Sequence, residues 1–239
     1  MAGWKPDAEQ IAGGRLAGAD LSGMALKEHD FRQADLSKAD LAGADLREAN
    51  FWGANLAGAD LSEANARVAN FQGANLTGAL LAETNLWGAN LKVAQLTGAM
   101  LIRANMAQAD LPGANCDGAN FTETNLWGAV LRLTSLKDAN MGKVQLGIAK
   151  MEQAVLDGAN LRDADLTGAN LRGASLIGVD FTAAILRDVR FREANLSRVD
   201  FRDADLGEAY FDGAIFDGTI MPDGTIEVGP LHEWSPQSD

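Results

Sequence analysis

The chain is short of the residues that most enzymes use for chemistry near neutral pH. Among its 239 residues it has one cysteine, Cys116, and two histidines, His29 and His232. A single cysteine excludes a disulfide within the chain, and no second His or Cys stands at metal-ligand spacing from His29. We therefore interpret Cys116 as a buried apolar thiol and His29 as a residue of the capped end, and we expect no metal and no cofactor.

Long apolar runs are also missing. No stretch approaches the roughly 18 consecutive apolar residues that a membrane-spanning helix needs. The first residues, Met1-Ala2-Gly3-Trp4-Lys5-Pro6, lack the apolar core of a secretory signal. We expect a cytoplasmic protein without a membrane partner. The 26 glycines form no Walker-type phosphate loop, because they recur at regular positions and precede no helix.

A strict period of five takes the place of these signals. An apolar residue, most often Leu or Phe, recurs at every fifth position from Leu16 to Phe216 without insertion or deletion. Five steps along an α-helix rotate a side chain by about 140°, and five steps along a strand place it on the opposite face. Neither element can bury such a pattern. The period therefore predicts a solenoid, in which copies of a short unit stack on one another.

The unit is Ala-(Asp/Asn)-Leu-x-x, as in Ala39-Asp40-Leu41-Ala42-Gly43. This unit resembles the pentapeptide-repeat family, whose members form a right-handed quadrilateral β-helix. The resemblance implies an all-β fold with four pentapeptides per coil, and about ten coils at strand spacing would make a rod on the order of 50 Å long. Below, the Leu or Phe position is called the centre. A small residue two before each centre, such as Ala34 or Thr84, is expected inside, and glycine two after it suggests a turn with positive φ.

The repeat region, residues 16–220, lies between two short segments that are expected to protect its ends. Residues 1–15 are predicted to form an N-terminal cap with a short helix, which Asp7 begins and Gly13-Gly14 ends. Residues 221–239 are predicted to form a C-terminal capping tail that starts with a turn at Met221–Thr225. The apolar residues expected to fold back over the last coil are Ile226, Val228, Leu231 and Trp234.

Charge is unevenly distributed along the chain. The net charge is −13, and residues 1–65, 66–129, 130–202 and 203–239 carry −5, −1, +2 and −9. Some proteins of the family that the repeat resembles imitate duplex DNA and protect DNA gyrase by occupying its DNA site, which requires a continuous acidic side. Here the acidic residues predict only a partial stripe, which Arg103, Lys143, Arg162 and Arg202 interrupt. Its members are Asp20, Asp40, Asp60, Glu63, Glu83, Glu123, Asp163, Asp180, Asp200 and Asp203. Direct binding of nucleic acid is disfavoured, because phosphate would be repelled.

A duplicated heptapeptide gives a more local signal. The segment 83–89, Glu-Thr-Asn-Leu-Trp-Gly-Ala, recurs at 123–129, two coils later. Trp87 and Trp127 are therefore expected on one side of the rod, about 10 Å apart, with the small Ala107 between them. Outward apolar residues are also expected on the adjoining side, at Leu80, Met100 and Ile102. Such patches often mark partner sites, whereas the alternative is that each indole merely lies flat over a neighbouring coil.

These observations favour a non-enzymatic rod that binds a partner protein through the outward patch around Trp87 and Trp127. The alternative is a DNA mimic that inhibits or protects DNA gyrase or another topoisomerase. An enzyme of unknown type is a weaker third interpretation, because the recurring Asp and Asn residues belong to the repeat unit rather than to a catalytic pair. A lateral or end-to-end homodimer is compatible with the pattern.

Overall fold

The pentapeptides stack into coils of four. A computed structural model describes residues 14–229 of the chain. In this range each residue before a centre forms a parallel β-bridge with the residue twenty positions later, from Arg15↔Asp35 to Asp200↔Ile220. The predicted stacking of residues twenty apart is thereby confirmed. The centres and the small residues two before them are almost all buried, and together they form one continuous core along the axis.

Regular strand is scarce in this all-β chain. The described residues contain two strands, β1 (Phe216–Ile220) and β2 (Ile226–Gly229), which pair antiparallel at the C-terminal end. The coils before them consist of single bridges joined by turns, because only one residue in each pentapeptide pairs in strand fashion with the next coil. None of residues 14–229 belongs to a helix that could cross a lipid bilayer.

Hydrogen bonds explain why Asp or Asn precedes the centre. In the pentapeptide Leu41–Asp45, three backbone N–H groups donate to carbonyls of adjacent coils at 2.6–2.9 Å, and a fourth closes the turn by donating to the Leu41 carbonyl at 3.1 Å. The fifth, that of Ala42, donates to the Asp40 side-chain oxygen Oδ1 at 3.0 Å. Every backbone donor of the unit is therefore satisfied. Asn serves as well as Asp, as where Asn70 Oδ1 accepts from Gln72 N–H.

The turns confirm the positive φ predicted for glycine two positions after a centre and extend it to other residues. Every residue at this position from Gly18 to Gly218 has a φ between 52° and 72°. The set includes 23 residues that are not glycine, among them the β-branched Val68, Val93 and Ile148. Such residues rarely adopt this conformation. The hydrogen bonds on both sides of each turn impose it, because a coil that left the left-handed corner would lose its register with two neighbours.

The core holds rings and hydroxyl groups in ordered columns. Phe31, Phe51 and Phe71 stack with ring centroids 4.9 and 4.8 Å apart, which is the spacing of the coils. Where threonine replaces the small inward alanine, its hydroxyl group is hydrogen bonded. Thr84 Oγ1, for example, donates to the Leu61 carbonyl at 2.7 Å. Among the described residues no buried side-chain nitrogen or oxygen lacks a partner. The interior is thus filled and not a channel.

The structure describes part of the predicted C-terminal tail but almost none of the predicted N-terminal cap. The predicted N-terminal helix, like Leu231 and Trp234 of the tail, lies outside the described residues. At the C-terminal end β2 turns back and pairs with β1, with Ile226 opposite Ile220. Ile226 and Val228 keep 66% and 72% of their surface exposed, so these side chains do not cover the last coil as expected. The tail instead satisfies the edge of β1 through its backbone.

Candidate protein-interaction surface

Each coil presents three outward positions on each of its four sides: the residue before a centre and the two after it. On the side of Trp87 these are residues 65, 67 and 68 and the residues twenty, forty, sixty and eighty positions later. We call this surface the tryptophan face. Its outward positions contain one charged residue, Arg67, although 22% of the whole chain is charged. The tryptophan face is therefore a nearly neutral strip on an acidic protein.

Both predicted tryptophans lie on this face. Trp87 is 37% exposed and Trp127 is 49% exposed. Each is followed one coil later by a small residue that the structure buries, namely Ala107, which is 8% exposed, and Gly147. A Cβ atom at Gly147 would approach Trp127 Cδ1 to 3.0 Å, so this indole lies over the next coil. Trp127 therefore contacts the neighbouring coil, as the alternative interpretation requires, and about half of its side chain still remains open to solvent.

Arg67 extends the aromatic strip by one coil. Its guanidinium carbon lies 4.8 Å from the ring centroid of Trp87, which is a cation–π contact. The side chain of Arg67 forms no ion pair with residues 14–229, whereas Arg47, one coil earlier, is hydrogen bonded to Asp45 at 2.6 and 2.7 Å. A cleft of about 370 Å³ opens beside Arg67 and is lined by Arg47, Glu48, Asn65, Arg67 and Val68.

The second apolar group lies on the adjoining side. Leu80 and Met100 occupy consecutive coils of one column, between Asp60 and Asn120. Leu80 is 42% exposed, and Met100 and Ile102 are half-buried. The three residues therefore belong to the same side of the rod as the acidic stripe and interrupt it. They do not lie on the tryptophan face, in agreement with the sequence-based placement.

All ten acidic candidates share this adjoining side. Asp20, Asp40, Asp60, Asp180 and Asp200 are in the column before the centre, and Glu63, Glu83, Glu123, Asp163 and Asp203 are in the column two after it. Three of them are ion-paired: Glu83 with Arg103 at 2.6 Å, Asp180 with Arg162 at 3.0 Å and Asp200 with Arg202 at 2.5 Å. The interrupting arginines thus neutralise part of the stripe.

The fold and the repeat together decide the family. A family model described as pentapeptide repeats matches the chain in eight copies, over residues 15–53, 44–81, 79–115, 114–147, 149–182 and 184–221. The chain belongs to the pentapeptide-repeat family. HetL, a pentapeptide-repeat protein involved in heterocyst differentiation regulation from the cyanobacterium Nostoc sp. strain PCC 7120, is 34% identical. That alignment covers 92% of this chain and 97% of HetL, with a TM-score of 0.62.

Two further solved structures are similar to this chain at lower TM-scores. A trypsin-treated variant of QnrB1, a plasmid-mediated fluoroquinolone resistance protein, is 20% identical over 85% of this chain and 89% of its own, with a TM-score of 0.42. A protein of the Arabidopsis thaliana thylakoid lumen is 36% identical over 52% of this chain and 77% of its own, with a TM-score of 0.29. A search of curated proteins found no significant match. Pentapeptide-repeat neighbours imply that the coil is a right-handed β-helix.

The pentapeptide-repeat coil also accounts for the two residues considered for chemistry. Cys116 occupies a centre, is fully buried and free, and burial raises the pKa of its thiol well above the usual value. His29 is exposed, and its Nδ1 lies 3.2 Å from the Lys27 carbonyl oxygen. Among residues 14–229 no cluster of His, Cys, Asp and Glu could hold a metal ion.

Sequence reasoning missed several outward apolar residues of this pentapeptide-repeat chain. Trp52 is 45% exposed one position after a centre, on the side that follows the tryptophan face. Val68 and Ile148 are about half exposed at the ends of the tryptophan face itself. The register alone could have found them, because the position within the pentapeptide predicts which side chains point outward. No pattern in the sequence predicts the contact between Arg67 and Trp87.

Proposed function

We propose that this chain is a non-enzymatic interaction protein that binds a partner protein through the tryptophan face. The observation that carries the proposal is the column of Arg67, Trp87 and Trp127 on a strip with a single charge. Interface cores are poor in charged residues and rich in Trp and Arg, as this strip is. Leu80, Met100 and Ile102 would widen the contact on the adjoining side.

The family supports a binding role. Pentapeptide-repeat proteins are generally structural or interaction proteins. HetL, at 34% identity, is involved in regulating heterocyst differentiation. We infer that this chain acts by binding another molecule, because the exposed tryptophans supply a surface suited to a protein. A cytoplasmic location remains part of this proposal.

The test compares two tryptophan variants. Trp87→Ala with Trp127→Ala should abolish recovery of the partner from a lysate of the native host, because truncation of an interface tryptophan commonly costs at least about 2 kcal/mol of binding free energy. Trp52→Ala is the matched control, since it removes an equally exposed indole from another side. Circular dichroism and the melting temperature should change little in both variants. Equal recovery by the double variant and the wild type would refute the proposed site.

The acidic side supports the second candidate, a DNA mimic that acts on DNA gyrase. The observation that favours this candidate is the placement of all ten acidic candidates on one side of the rod. Charge reversal at Asp40, Asp60, Glu63 and Glu83 should then remove any inhibition or protection in a supercoiling assay. The tryptophan variants should leave that activity intact. A wild-type protein without effect on supercoiling over a broad concentration range would eliminate this function for gyrase.

A further inference from the structure

We propose that the tryptophan face takes an acidic segment of its partner, with a carboxylate of that segment on Arg67 and an apolar side chain against Trp87 and Trp127. This inference rests on the proposed function and specifies the chemistry of the partner. The net charge of −13 is concentrated in residues 1–65 and 203–239, whereas the outward positions of the tryptophan face carry only the positive charge of Arg67.

Arg67 is the group that would recognise the carboxylate. The neighbouring basic residues are already compensated: Lys27 pairs with Glu28 and Glu48, and Arg47 pairs with Asp45. The Arg67 guanidinium has no ion pair and donates no side-chain hydrogen bond to residues 14–229. Its contact with the Trp87 ring holds it in place, which lowers the entropy that binding would cost. An arginine so placed matches a carboxylate, which can accept two parallel N–H bonds.

The cleft beside Arg67 provides room for that carboxylate. Arg47, Glu48, Asn65 and Val68 line it together with Arg67, and the volume of about 370 Å³ exceeds that of a single acidic side chain. Within the cleft Arg47 pairs with Asp45, and Glu48 lies 3.4 Å from a Lys27 that also pairs with Glu28, so Arg67 is the one cation lining the cleft that has no ion pair with residues 14–229. A carboxylate of the partner would therefore bind at the Arg67 guanidinium rather than at Arg47, whose guanidinium is already bonded to Asp45.

The apolar part of the site lies further along the same column. Arg67 and Trp127 are three coils apart, which corresponds to about 14 Å at the usual strand spacing. An extended peptide covers that distance with about five residues. A carboxylate at Arg67 and a leucine or aromatic side chain near Trp127 can thus come from one short segment. The uncharged positions between them would not oppose either end of such a segment.

The experiment selects peptides against the full chain. A phage-displayed library of random peptides of about ten residues is the probe, because that length spans the column with residues to spare. We expect enrichment of peptides in which Asp or Glu precedes or follows an apolar residue. Arg67→Gln should weaken the selected peptides by about tenfold, the loss typical of a charge-assisted hydrogen-bonded pair. Added salt should weaken binding to the wild type more than binding to this variant.

Two controls separate the possible failures. Arg132→Gln removes the same charge from another side, where Arg132 pairs with Glu152 at 2.9 Å, and it should change affinity less than about twofold. Peptides without acidic preference, peptides that bind Arg67→Gln as tightly as the wild type, or no selected peptide would overturn this inference. If the selected peptides no longer bind Trp87→Ala/Trp127→Ala but still bind Arg67→Gln, the proposed function survives and only the inference of an acidic partner fails. Acidic peptides that bind the double tryptophan variant unchanged would refute the proposed site itself.

A second copy of the chain is the competing occupant. Sedimentation of the wild type would reveal a dimer, and the loss of that dimer in the double tryptophan variant would place the second copy on the tryptophan face. This result would overturn the acidic-segment proposal. A monomer, or a dimer that the substitutions leave intact, is the result expected if the face is open to a partner.

Discussion

Trp127 and Gly147 are twenty residues apart, and the indole of one lies over the backbone of the other, so that a Cβ atom at Gly147 would come within 3.0 Å of Trp127 Cδ1. The absence of a side chain at Gly147 therefore allows the indole to approach the next coil closely. Gly147 does not have positive φ. A side chain at this position should consequently move the indole while leaving the turn intact.

Gly147→Val is the first prediction. The added methyl groups should lift the Trp127 indole, change tryptophan fluorescence and reduce partner recovery, while the circular-dichroism spectrum of the coil is retained. Ile102 and Ile177 occupy the same position of other pentapeptides, so a β-branched residue fits there. Gly142→Val is the matched control, because the nearest atom to a Cβ there is Asn140 Oδ1 at 3.6 Å. Equal binding by both variants would mean that the orientation of the indole does not matter.

The second prediction concerns the core at Ala66. This alanine is a buried centre between the larger Leu46 and Leu86 in its column. Ala66→Leu should be neutral or stabilising, because burial of a leucine side chain contributes roughly 1.5–3 kcal/mol where space exists. Leu86→Ala should cost about 2–5 kcal/mol. Urea denaturation midpoints measure both. A clear loss of stability in Ala66→Leu would show that the coil has closed around the small side chain.

The third prediction is a pH dependence at the C-terminal coils. Hydrogen bonds from Arg202 hold the pKa of the Asp200 carboxyl below its usual value. A carboxyl with a lowered folded pKa contributes stability that is present above its unfolded pKa of about 3.9 and is lost as pH falls through the folded value. Arg202→Gln should therefore melt at a lower temperature than the wild type near pH 7. The two melting temperatures should converge below about pH 3. A constant difference across that range would exclude this ionic contribution.

The fourth prediction concerns the tail. Deletion of residues 222–239 removes β2, which pairs with β1 along Phe216–Ile220. The truncated chain should keep its β-structure but associate, because the freed edge of β1 can pair with another chain. Light scattering and sedimentation measure the association. If the truncated chain remains as monodisperse and as stable as the full chain, the tail does not protect this edge.

The sequence predicted the coil correctly because its information is periodic. A centre at every fifth residue predicts a solenoid, and the family that the unit resembles implies four units per coil, so that residues twenty apart stack, as the bridge from Asp40 to Asp60 does. The same register placed Trp87 and Trp127 on one side and Leu80 on the next. It also placed Cys116 in the core, where burial raises the pKa of its thiol.

The sequence by itself determined which residues face inward and which face outward, because these depend only on position within the repeat. Which residues share a column followed from the four pentapeptides per coil that the family resemblance implies. Tertiary structure alone decided how outward side chains use the space between coils. Arg67 lies over Trp87 while Arg103 pairs with Glu83, although both arginines are exposed and unremarkable in sequence. Positive φ at Val68 likewise follows from hydrogen bonds to neighbouring coils, which outweigh the local preference of a β-branched residue. Contacts between coils depend on side-chain rotamers and backbone pairing, and these exist only once the coils have stacked.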